Sequence, residues 1–462
     1  MAADGGMRMR RALSVLAIPF VVAFANVFGA LRAVVIGGFV VLPRIFWAVE
    51  VHGLEHDHRW RSSYLAMNHK RDLDSVMPMA AVVRHRGWRA ITGDVRFGMR
   101  ADGFAPGFLA RVVPRPRWLA WLLHPFSVGW ILRQAGTYPL EGPSTRPAEM
   151  WIRDARRVYG NVRAGEILTP DFLRALAAGG GRSPEAVAAL RLSRVLGWRY
   201  QDVRRRYAGP EICLPLVRRT LERRLAATVR RELADMDAWL ARGGSLYGAP
   251  EGRLSPDGRI GRVSAGSHRL LRDGPAATRV VPIAIVYDFM ITGRPRVFVD
   301  VAPPLAGGGA LARTELDARL RAAWLSAARF TCTQLASGFL VRAAASVAPT
   351  FTLDDLAASV RDEAVRLARA GRHVDARLLD PHTARGRCAR YLRFAARRGL
   401  VRHTTCGVWA PVVGDLDLAP ASGEVGYDRW PLAYAWNELQ DMLAAGGLRV
   451  VATTASERVA NA

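Results

Sequence analysis

The chain has 462 residues, half of them hydrophobic, and a formal net charge of +26. Length and apolar content suffice for a large core and exclude an intrinsically disordered chain. A pI near 11.3 directs it toward anionic partners, whether lipid, nucleic acid or phosphorylated substrate, although nearly all of the positive charge is arginine, as coding bias would also produce.

From the N-terminus, Arg8, Arg10 and Arg11 precede the uncharged run Ala12 to Leu31, "ALSVLAIPFVVAFANVFGAL", and a shorter one follows from Ala33 to Pro43. The first just reaches the roughly 20 residues that span a bilayer. Pro19, Asn26, Gly29, Gly37 and Gly38 interrupt a continuous helix. Residues 1–45 therefore read as a membrane-associating helical segment, an anchor or a hairpin in one leaflet, with the arginines keeping the N-terminus cytoplasmic. A signal peptide cleaved near Ala23-Phe24-Ala25 and a buried core helix are the rival readings.

Next come short apolar runs bounded by Gly, Pro or Asp: residues 47–53, 62–68, 88–94, 136–142, 244–252, 279–288 and 296–304, all read as strands. Helical patterns over 75–85 and 127–134 lie between them. This rhythm predicts an α/β fold with a mixed, largely buried sheet flanked by helices over residues 46–305. Between 147 and 242 the strand pattern gives way to arginine-rich helical segments, a helical insertion. Residues 306–462 read as a helical C-terminal region, with Thr352 capping the segment "LDDLAASVRDEAVRLARAG" and a winged-helix-like arrangement expected over 350–415. Cys213, Cys332, Cys388 and Cys406 have neither CxxC spacing nor the density of a disulfide scaffold, which points to a reducing compartment.

Two stretches carry chemistry. "NHKRDLD", residues 68–74, lies between a strand and a helical pattern and contains the chain's only lysine. There His69 can accept a hydroxyl proton while Asp74, five residues on, fixes its tautomer; Asp72 suits a cap for the following helix. Taken alone, that spacing occurs in many surface turns. The second stretch is "PEGR", residues 250–253, where Pro250 and Gly252 shape a tight strand exit, Glu251 brings a carboxylate and Arg253 a planar donor fork suited to phosphate.

In this order, each at a strand end and followed by "VVPIAI", the two stretches resemble the signature blocks of the glycerophospholipid acyltransferase family, over about residues 45–305. The resemblance implies O-acyl transfer from an acyl thioester, on coenzyme A or acyl carrier protein, to glycerol 3-phosphate or lysophosphatidate. It implies His69 as general base, Asp74 as its orienting carboxylate, and Glu251 and Gly252 as the core of the block that helps bind the acceptor. It implies no further cofactor and no metal. The strand at 136–142 stands where the family places a glycine-aromatic-arginine block, but no arginine follows directly; Arg146 is the nearest. Arg253 stands where the family commonly has threonine, so Arg253 and Arg146 are both candidates for the acceptor phosphate. The long insertion is a second departure. Activity of this kind places the chain on anionic lipid at the cytoplasmic face of the cell membrane, with no nucleic-acid partner.

Other readings stay in view. His52, Glu55, His56, Asp57 and His58 crowd one segment, yet neighbours on an extended chain point to opposite faces, which disfavours metal ligation. "TARGRCARYLRFAARRGLV", residues 383–401, has the pattern of a helix-turn-helix and would make the chain a nucleic-acid-binding protein, but it leaves His69, Asp74 and Glu251 without a purpose. A catalytically inactive acyltransferase-like scaffold is the remaining alternative. No Gly-x-Ser-x-Gly sequence supports a serine hydrolase.

Overall fold

The computed structural model describes residues 41, 45–56, 62–70, 74, 77, 95–100, 104, 122, 129–134, 136–140, 146–206, 208–252, 254–255, 257–274, 278–305, 311–346, 349–405, 407–412 and 430–448. The expected membrane segment, apart from residues 41 and 45, lies outside them. So do the strand expected at 88–94, nearly all of the helix expected at 75–85, and Arg253. No helix among the described residues is long and apolar enough to cross a membrane.

In chain order the elements are β1 (Ala48–His52), β2 (Ser63–Met67), β3 (Val95–Arg100), α1 (Gly129–Gln134), β4 (Thr137–Leu140), α2 (Ala148–Tyr159), α3 (Pro170–Gly180), α4 (Pro184–Ala188), α5 (Leu192–Val195), α6 (Gln201–Arg204), α7 (Pro215–Ala241), β5 (Ser245–Gly248), α8 (Ala265–Asp273), β6 (Arg279–Asp288) and β7 (Arg296–Val301). They continue with α9 (Arg313–Ala327), α10 (Cys332–Ala344), β8 (Phe351–Thr352), α11 (Leu353–Arg369), α12 (Pro381–Arg397), β9 (Val401–Thr405), β10 (Val408–Pro411) and α13 (Pro431–Ala445). The described residues divide into two compact units, one within 95–242 and one within 41–94 and 243–448.

The second unit carries an α/β sheet in the order β1-β7-β6-β2-β5. β1 with β7, β2 with β6 and β2 with β5 run parallel; β6 and β7 are antiparallel. Strands covered on both faces need no polar alternation, and the sequence obeys this: every residue of β2, and every residue of β6 after Arg279, is buried. Helix α9 covers the sheet through Trp324, whose indole N–H donates to the Ala66 carbonyl at 2.9 Å. Beyond it, β8-β10-β9 form a small antiparallel sheet associated with α11 and α12. Thr352 caps α11 and Asp380 caps α12, each accepting from a backbone N–H three residues on. The region read from sequence as helical thus includes three strands. β9, "VRHTT", is mostly polar and exposed, and β10, "VWAP", is four apolar residues ending in proline; both are too short to leave an alternating pattern.

The first unit pairs β3 with β4 in parallel. The segment read as a helical insertion packs α2, α3, α4, α5 and the N-terminal part of α7 around Trp151, Ile152, Leu168, Leu192 and Leu221. β3, "VRFGMR", has no counterpart in the sequence reading, since Arg, Gly and Arg break its apolar run.

Candidate functional site

Because β2 and β5 are parallel neighbours, with Tyr64 opposite Leu246 and Ala66 opposite Gly248, their C-terminal ends open at the same sheet edge. That edge is where parallel sheets hold ligands. The register therefore brings "NHKRDLD" and "PEGR" together although about 180 residues separate them.

The exit from β2 is fixed residue by residue. Asn68 N–H donates to the Ile283 carbonyl at 3.3 Å. Its side-chain amide donates to the Ile285 carbonyl at 3.2 Å and accepts from the Ile285 N–H at 2.7 Å. The Asn68 side chain thereby continues the β2–β6 ladder while the backbone turns away. His69 follows, with Nδ1 at 3.3 Å from Asp74 Oδ2. No described residue hydrogen-bonds its Nε2. Asp74 is fully buried: Oδ2 also accepts the Lys70 N–H, Oδ1 accepts the Tyr287 hydroxyl, and the Asp74 carbonyl accepts the Tyr247 hydroxyl at 2.8 Å. Burial, helped by the Asp74 charge, pushes the Tyr247 hydroxyl well above its ordinary pKa, so it stays a donor. Under these constraints Nδ1 keeps its proton toward the carboxylate, and Nε2 is the nitrogen able to take one.

Glu251 joins the two strand exits. One carboxylate oxygen accepts the His69 N–H at 2.8 Å and the other the Gly261 N–H at 2.6 Å. Burial pushes its pKa up to about 7, against the opposing pull of those two N–H groups and of the His69 and Lys70 charges. Gly252 sits at φ +69°, a left-handed conformation that suits glycine. The loop is tied further by Ser255 N–H on the His69 carbonyl at 2.7 Å and by Ser264 N–H on the Pro250 carbonyl at 2.8 Å.

Arg253 lies outside the described residues. Arg146 belongs to the first unit, where it is buried, bonds Asp154 and places its guanidinium 4.5 Å from the centre of the Trp151 ring. No group of three or more His, Cys, Asp or Glu side chains among the described residues is placed to hold a metal ion. Sequence reasoning missed Asn68, Tyr247, Tyr287, Lys70 and Glu438 as site-building residues. For the tyrosines a usable sign was present: a polar-tipped aromatic inside an otherwise apolar buried strand needs a partner for its hydroxyl.

No protein-family model matches the chain, and no curated protein matches it. Among solved structures it is similar to the 1-acyl-sn-glycerophosphate (LPA) acyltransferase PlsC from Thermotoga maritima, at 13% identity and a TM-score of 0.30, covering 68% of this chain and 93% of that one. A likeness of that size carries no weight in reading the site.

Proposed function

We propose that the chain is an O-acyltransferase moving a fatty acyl group from an acyl thioester to the free hydroxyl of a glycerol phosphate or lysophosphatidate. The observation that supports this reading best is the assembly of His69, Asp74 and Glu251 at one sheet edge, with Nδ1 directed to a buried carboxylate. His69 Nε2 removes the proton from the acceptor hydroxyl as the oxygen attacks the thioester carbonyl, a contribution of about a hundred- to ten-thousand-fold. The tetrahedral intermediate then expels the thiolate, which needs no strong acid from the protein. Asp74 holds the tautomer and balances the imidazolium. Glu251 and Gly252 set the loop that receives the acceptor, and Arg253, the next residue in sequence, meets the phosphate. In this proposal residues 1–45 and the positive surface hold the enzyme on anionic lipid at the cytoplasmic face of the membrane.

Thiol release from acyl-CoA in the presence of lysophosphatidate tests the reading. The intact chain should turn over, and His69→Ala should lose at least a hundredfold in kcat while remaining folded, because Asp74 keeps the Lys70 N–H and the Tyr287 hydroxyl as partners. Undiminished turnover by that variant, or none by the native chain, rejects the proposal.

A further inference from the structure

The motifs leave Lys70 unused, yet it is buried, 6% exposed, which is unusual for a lysine. Its ammonium pairs with Glu438 of α13, itself 2% exposed. The second oxygen of Glu438 accepts from the Gln334 side-chain amide at 2.8 Å, and Gln334 in turn closes the capping box of α10 with Thr331. The Lys70 N–H is on Asp74, and its carbonyl meets the Tyr434 hydroxyl, again from α13, at 3.5 Å. Residue 70 is thus held at its amide, its carbonyl and its side chain, and it adjoins His69 in the turn that brings His69 to Asp74.

The same helix fastens the Glu251 loop. The Asn437 side-chain amide donates to the Asp257 carbonyl at 3.0 Å, and Asp441 accepts from the Ile260 N–H at 3.2 Å and from Arg321 at 2.7 Å. Gly258, at φ +89°, lies so close that an added Cβ would stand 2.3 Å from the Tyr434 carbonyl oxygen. One helix, 360 residues downstream of His69, therefore touches both loops of the candidate site. A buried ion pair is a poor device for stability, since well-packed apolar replacements are often as stable or more so. What it supplies is a fixed position for its two ends.

We infer that Glu438 of α13 is a positioning residue for the His69–Asp74 pair, acting through Lys70. This rests on the acyltransferase reading of His69. The test uses the full chain with acyl-CoA and lysophosphatidate. Glu438→Ala and Lys70→Met should each lower kcat roughly tenfold or more, with both KM values within threefold of wild type. The paired replacement Lys70→Met/Glu438→Leu, which removes both charges and leaves only the Gln334 amide without its acceptor, should recover part of the melting temperature lost in the single variants and not kcat. It also keeps the test open where a single variant fails to fold. Recovery of kcat together with melting temperature, or a folded Glu438→Ala with wild-type kcat, overturns the inference.

A readout independent of turnover separates the two claims. The downfield Nδ1 proton resonance of His69, assigned by its loss in His69→Ala, should shift or broaden in the paired variant, and an unmoved resonance overturns the inference. If it moves while the native chain transfers no acyl group, the positioning role stands and the acyltransferase reading falls.

Discussion

Replacing Glu251 by Gln sets two effects of known sign against each other. In the folded protein burial raises the Glu251 pKa from 4.5 to about 7, so the native state holds this proton more tightly than the unfolded chain. The stabilisation linked to that proton is fully present below pH 4.5 and is lost as the pH rises through 7. A rise of that size corresponds to about 3 kcal/mol. Gln carries no titrating proton and loses none of this with pH. It does carry a separate cost that pH does not alter. Glu251 accepts N–H groups from both His69 and Gly261, whereas Gln offers one oxygen and turns its own NH₂ toward the other donor, at about 1–3 kcal/mol. Wild type should therefore exceed the variant most clearly near pH 4.5, and the gap should close or reverse by pH 8. At about 2–4 °C per kcal/mol for a large domain, the difference in melting temperature should change by roughly 6–12 °C over that range. Thermal unfolding of both proteins in a buffer series at constant ionic strength measures it, because titrating groups that do not interact with Glu251 cancel in the difference. Two parallel curves would refute the reasoning.

Asp74→Asn should cut kcat by about 10²–10⁴ and lower the melting temperature, because an amide N–H₂ would face the Lys70 N–H or the Tyr287 hydroxyl; steady-state kinetics with a melting curve checks both. Gly252→Ala should cost only about 1–2 kcal/mol in chemical denaturation, the price of a left-handed backbone, since its Cβ would lie 3.4 Å from Ser264 Cβ without a clash. The intact chain should cosediment with anionic vesicles, partly released by salt, while a chain lacking residues 1–45 should be released fully; salt-independent binding of the truncated chain would contradict this.

Strands β2, β6 and β7 could be read from the sequence because a doubly covered strand must be largely apolar over a short length, as in "RVVPIAIVYD". The turn carrying His69 and Asp74 could be read because its polar residues interrupt that rule at a strand end, and the Thr352 cap because it depends on residues three apart. These are local consequences of side-chain chemistry, and one dimension holds them. The pairing of β2 with β5, and with it the contact between His69 and Glu251, depends on which strands become neighbours, which no local pattern encodes. The tyrosines beneath Asp74 and Glu438 beneath Lys70 lie about 170 to 370 residues from their partners. Glu438 looks like any glutamate on a helix, and the tyrosines announce only that their hydroxyls need a partner, not which one. Only tertiary packing, by removing water around them and bringing these distant partners within reach, decided what they do.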